Sequence, residues 1–245
     1  MLTENKVLRR FFYATRLGGI IREFFRYLIF TVTKREEKNA ESTGDVFAIV
    51  NDVRLVSGYN IFPMFGTLLS LVRDGEIIRA DDFDFAFVGG HEDIVGLLDV
   101  FGCRGFELIG VSVVGREVYE ISFVYRTIRV DIFRLVDSVD GVGHVCPNFR
   151  TSLPVIMEYG GAYVHKYDNY FKVDYGGIET CAGVILPMPT RECAVMIFER
   201  HYGVDWKVPK NRDFIDYEFY EFVEGECFIL HGRSEDIVGW INEKL

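Results

Sequence analysis

With 245 residues, 49% of them hydrophobic and 15% aromatic, the chain can bury a sizeable core as one large domain or two small ones. A formal net charge of −10 argues against a general nucleic-acid binder, which would carry a basic face. Five scattered cysteines (Cys103, Cys146, Cys181, Cys193 and Cys227) make no C-x-x-C pair and no Cys/His cluster at zinc spacing, so a reducing, cytoplasmic setting is the simpler expectation.

The charge is unevenly spread, with nine basic side chains against four acidic ones in residues 1–38. Placing residues 13–28 on a helix gathers Tyr13, Leu17, Ile20, Phe24 and Leu28 on one side, with Arg16, Arg22, Glu23 and Arg26 opposite. That predicts a basic amphipathic N-terminal helix. Two readings stay open for it: it packs on the rest of the chain, or residues 9–30 make a peripheral contact with an anionic membrane surface. Charges interrupt every apolar run before the roughly 20 residues a spanning helix needs, and no cleavage-site pattern follows an apolar run, so neither a transmembrane span nor a secretory signal is expected.

Residues 36–44, "EEKNAESTG", lack periodicity and read as a linker between an N-terminal segment, 1–38, and a main domain, 39–245. The pattern then predicts a helix over 45–57, a short strand near 59–65, a Gly66-Thr67 turn and a helix over 67–73. "FDFAFV" alternates strictly and reads as a strand, followed by a helix over 92–101. Strands follow at 105–114, 117–125 and 128–136, the last two joined by a tight turn at Arg126-Thr127. Residues 137–190 are irregular and rich in Gly and Tyr, with a hairpin at "YVHKYDNYFKVDY"; such regions carry substrate sites or lids. A helix over 190–202 closed by Gly203, and another over 234–243, complete the pattern.

Chemistry concentrates in "FPMFGTLLSLVRDGEIIRADDFDFAF", where Asp81, Asp82 and Asp84 sit between apolar runs. On a strand, Asp82 and Asp84 share one face while Phe83, Phe85 and Phe87 take the other. Two carboxylates that close repel unless a cation lies between them, and oxygen ligands favour Mg²⁺ or Mn²⁺. Gly66 and Thr67, opening a helix, could present N–H groups and a hydroxyl to a phosphate, with Arg73 as its cation. In "TIRVDIFRLV", Asp131 lies opposite an apolar face; a buried Asp needs a partner, which a metal shared with Asp82 and Asp84 would supply. Each part has a plain alternative, since D-x-D is common, Thr is an ordinary N-cap and Arg73 could simply complement a helix dipole.

Taken together, a Gly-Thr turn, an acid pair on the next strand and a single Asp some fifty residues later resemble the nucleotidyltransferase superfamily. More narrowly, "GTLLSLVRDGEIIRADDFDFAF", "RVDIFRL" and "HYGVDWKVP" resemble, in order, the three signature segments of the LicD/fukutin family, over about residues 45–212. The resemblance implies an α/β (α+β) fold with a nucleotidyltransferase-like mixed sheet flanked by helices. It also implies transfer of a phosphorylated alcohol, such as phosphocholine or ribitol phosphate, from a CDP-linked donor to a glycan or glycolipid hydroxyl. Asp82, Asp84 and Asp131 would then be the catalytic metal ligands for Mg²⁺ or Mn²⁺. Gly66, Thr67, Arg73 and Trp206 would bind substrate, with Lys166 or Lys172 sharing the charge of the diphosphate. Two rival classes are a D-x-D glycosyltransferase and a non-catalytic scaffold that docks on membrane or partner through its basic helix.

Overall fold

The computed structural model describes residues 36–75, 82–150, 153–210 and 214–245; Asp81 and the basic segment 9–30 lie outside the described residues. The chain begins with α1 (Glu36–Ser57), β1 (Phe62–Pro63), α2 (Phe65–Arg73), β2 (Asp82–Val88) and α3 (His91–Gly102). A run of strands follows: β3 (Glu107–Val114), β4 (Glu117–Tyr125), β5 (Ile128–Ser138), β6 (Gly141–Pro147), β7 (Val155–Tyr159) and β8 (Ala162–Asp174). The short β9 (Thr180–Cys181) and β10 (Met188–Pro189) precede α4 (Arg191–Tyr202), β11 (Glu221–His231) and α5 (Ser234–Lys244).

This is a mixed α/β architecture. Nine strands form one sheet in the order β1-β2-β5-β4-β3-β11-β8-β6, with β7 beside β8. Among the described residues only β2 and β5 run parallel; the other pairings are antiparallel. Because β5 also pairs β6, strands β5, β4, β3, β11, β8 and β6 return on themselves as a ring, and β2 is attached to it along β5.

The alternation in β2 decides where the helices go. Phe83, Phe85 and Phe87 are buried with residues of α1, α3 and α5, including Phe47, Val50, Ile94, Leu97 and Trp240. Phe47 meets Phe83 and Phe85 edge-on, at 5.4 and 5.3 Å between ring centres. Ala86, on the opposite face of β2, is buried with α2 and α4 through Leu68, Ile197 and Phe198. Asp82 and Asp84 share that second face with Ala86, so they emerge between β2 and the α2–α4 pair.

Several expectations hold. The helix near 92–101, the three strands from 105 to 136 and the final helix are present within a few residues of their expected bounds. Arg126 takes a left-handed φ of 57° in the tight turn, and Gly203 closes α4 with φ 88°. Thr190 caps α4 by accepting a hydrogen bond from the Cys193 amide at 3.4 Å.

Others need correction. The polar stretch 36–44 is not a linker but the first turns of α1, consistent with its Glu, Lys and Ala content. The compact unit Ser42–Leu245 begins within this helix, three residues after the expected domain start at residue 39. "YVHKYDNYFKVDY" is no hairpin: it lies in the single long strand β8, held extended by pairing with β6, β7 and β11. Its turn-like Asp168 faces a bulge, where Gly225 and Glu226 of β11 oppose one residue of β8. Strands β6 and β7 lie within the stretch 137–190 that reads as irregular, and β11 lies where no element is predicted. All five cysteines are free thiols, and among the described residues no helix is long and apolar enough to cross a membrane.

Candidate functional site

A cleft of about 350 Å³ opens where the acidic face of β2 meets α2 and the end of α4. Its walls include Gly66, Thr67, Ser70 and Arg73 of α2, Asp82 and Asp84 of β2, Tyr202 of α4, and Trp206 and Lys210 beyond it. Six residues singled out from sequence, Gly66, Thr67, Arg73, Asp82, Asp84 and Trp206, thus share one cavity. Trp206 is buried and packs its ring on Phe198 at 4.7 Å, which makes it a fixed wall.

The first turn of α2 is built against Asp84. Met64 donates its amide to the Asp84 carbonyl at 3.0 Å, and Asp84 donates its own amide to the Thr67 hydroxyl at 2.8 Å. The Gly66 amide donates to Oδ2 of Asp84 at 3.1 Å. Helix α2 begins at Phe65 rather than Thr67, and Thr67 is not its N-cap; its hydroxyl ties the helix to the strand instead. Phe65 takes φ 41°, unusual for a residue with a Cβ, and its ring is gripped by His201 at 4.3 Å, Phe133 at 5.0 Å and His144 at 5.2 Å. A Cβ on Gly66 would stand 3.2 Å from Oδ2 of Asp84, so a side chain there would press the carboxylate out of place by a few tenths of an ångström.

The third carboxylate arrives by strand register. In the parallel pair β2–β5, Asp84 is directly opposite Asp131 and Asp82 directly opposite Arg129, so all four side chains rise from one face. Asp131 is buried, and its required partner is Arg129, whose Nε lies 3.0 Å from Oδ1 and 2.9 Å from Oδ2. The same guanidinium donates to the Ser122 hydroxyl at 3.1 Å and stands 3.9 Å from Glu120. Ser112 donates to Glu120 at 2.7 Å. Glu120 is a member of this row that the sequence reading missed; its signal was the alternation of Glu120 and Ser122 with the buried Ile121 and Phe123.

The charges register this crowding. Burial, then the neighbouring Asp131 and Asp82, push the Asp84 carboxyl well above the usual carboxylate range, only partly opposed by the Gly66 amide. Burial and Asp131 raise Glu120 to about 7. Burial alone would lower Arg129, but Asp131 and Glu120 outweigh it and hold the guanidinium more firmly protonated. Burial and Asp84 also raise the Tyr202 phenol.

Two lysines selected from sequence lie elsewhere. Lys166 and Lys172 do not reach the cleft: β8 is separated from β2 by at least two strands, and register sets these lysines beside β11, where they pair with Glu226 and Glu221. His144 is buried beside Phe65 and Phe133, away from the cleft wall. Arg73 does line the cleft, but its guanidinium also pairs with Asp74 at 2.9 Å. Lys210, which also pairs with Asp205, adds a cation to the wall that sequence reasoning did not select.

Asp82 and Asp84 offer carboxylate oxygens to the cleft, a donor set that suits a hard divalent cation completed by water and phosphate oxygens. Among the described residues, no three His, Cys, Asp or Glu side chains are arranged to hold a metal ion by themselves. Compared with known proteins, the chain matches no family model and no curated protein.

Proposed function

We propose that the cleft transfers a phosphorylated alcohol, phosphocholine or an alditol phosphate such as ribitol phosphate, from a CDP-linked donor to a glycan hydroxyl. The chain would then be a phosphotransferase of nucleotidyltransferase-like fold, akin to the LicD/fukutin family that its three segments resemble. One observation carries the reading: the acid pair, the Gly66-Thr67 turn, Arg73 and Trp206, separate in sequence, line a single cavity, with Asp131 in register beside Asp84.

Asp82 and Asp84 would hold Mg²⁺ or Mn²⁺. Such an ion supplies charge neutralisation to the donor diphosphate. Arg73 and Lys210, on the same walls, share that charge, and Trp206 with Phe214 gives apolar surface for a pyrimidine. The acceptor oxygen forms a P–O bond to the phosphorus bearing the alcohol while the P–O bond to CMP breaks. CMP leaves with the bonding pair, and the acceptor proton is released to solvent. The basic residues within 9–30 suit docking at an anionic membrane that displays a glycolipid acceptor.

The test is CMP release from CDP-choline, CDP-ribitol and CDP-glycerol with Mg²⁺ or Mn²⁺, alongside Asp84→Asn. Release from one donor, lost in the variant, supports the assignment. No release from any donor, together with no change in melting temperature on adding metal and donor, overturns it.

A further inference from the structure

Asp82, Asp84 and Asp131 carry enough carboxylate oxygens for two divalent cations, yet one of the three is already matched by a cation of the protein itself. Arg129 Nε bridges both oxygens of Asp131, at 3.0 and 2.9 Å. The guanidinium is fixed in turn by Ser122, at 3.1 Å, and lies near Glu120, at 3.9 Å. The Asp131 side chain is only 8% exposed and is not on the cleft wall, where Asp82 and Asp84 are. Drawing Asp131 onto a metal would break a charge-assisted pair at a carboxylate screened from water and leave the Arg129 guanidinium with Ser122 and the more distant Glu120. Register also puts Arg129 directly opposite Asp82, so its charge stands where a second cation would approach.

We propose, resting on the metal-dependent function above, that the cleft binds a single divalent cation through Asp82 and Asp84, and that Arg129 is a built-in cation taking the place of a second by holding Asp131. Arg129 is thus a positioning residue that sets the metal stoichiometry.

The measurement is the number of Mn²⁺ ions bound per full-length chain, alone and with CDP, by titration calorimetry and by the loss of the free-Mn²⁺ electron paramagnetic resonance signal. Wild type should take up one ion and Arg129→Gln two. The double variant Arg129→Gln/Asp131→Asn preserves the local net charge and should return to one ion, with Kd within about threefold of wild type, because Asp131 is not a ligand. Arg129→Lys, which keeps a cation, should bind one ion and serves if the Gln variants do not melt cooperatively. Two ions in wild type, one ion in a folded Arg129→Gln, or a more than tenfold weaker ion in the double variant would each overturn the proposal. No ion on wild type, with or without CDP, would instead remove the metal-dependent function itself.

Discussion

Gly66 gives its amide hydrogen to Asp84 Oδ2 while Asp84 gives its own to the Thr67 hydroxyl, so the turn and the acidic strand hold each other by reciprocal bonds of 3.1 and 2.8 Å. A methyl group at position 66 would press on that carboxylate from 3.2 Å. Gly66→Ala should therefore lower kcat for CMP release by about tenfold, since small misplacements of a reacting group are costly, while global stability changes by no more than about 1 kcal/mol. Thr67→Val removes the acceptor of the Asp84 amide and should cost about 1 kcal/mol in urea unfolding.

Asp84 itself destabilises the unliganded protein at neutral pH. Its folded carboxyl retains a proton that the unfolded chain releases near 3.8, so stability falls as pH rises from there through the folded value. Glu120, raised to about 7 from 4.5, acts in the same direction across that window. Asp84→Asn should melt about 2–4 °C above wild type at pH 8, with the gap closing toward pH 4. Saturating Mg²⁺ with a CDP-alcohol should stabilise wild type by about 3 kcal/mol at a hundred times Kd and leave the variant unmoved.

Two buried histidines work the opposite way. Burial lowers His144 to about 4 and His201 to about 3, so both imidazoles are neutral in the folded protein, and His201 Nδ1 bonds the Tyr220 hydroxyl. The unfolded chain takes up protons near 6.5, so their contribution is complete above that pH and is lost as pH falls toward 4. Among the described residues His144 Nδ1 has no hydrogen-bond partner, so His144→Leu should be neutral or stabilising by about 1 kcal/mol at pH 7.5. Urea midpoints at pH 7.5, 6 and 5 should show that advantage growing as pH drops.

Arg73 divides its charge between the cleft and Asp74. Asp74→Asn should lower KM for the CDP donor by roughly threefold at low salt, with the gain fading as ionic strength screens it. Arg73→Gln should raise KM roughly tenfold with a smaller effect on kcat, the pattern expected when ground-state binding of the diphosphate is removed.

Local pattern made the acidic strand readable: one face of β2 is all Phe, and the other carries Asp82 and Asp84 ahead of Ala86. Helix α4 was equally plain, because Thr190 and Gly203 mark its ends chemically. The ring of strands was not, since polar pairs such as Asp168-Asn169 read as a turn until a bulge on a strand some sixty residues away accommodates them. The lysines on β8 look like free cations in sequence, and only their register against β11 assigns them to Glu226 and Glu221. The partner of Asp131 was within reach, because residues two apart on a strand share a face, and Arg129 is two residues away.

The outer edge of β2 is finished at Asp84 by partners that are not strand residues: the Met64 amide on its carbonyl and the Thr67 hydroxyl on its amide. With β5 bonded along the other side, the main chain there has no slack in either direction. Any ligand that reaches Asp84 is thus met by a carboxylate free to turn about its own side-chain bonds above a main chain bonded on both sides.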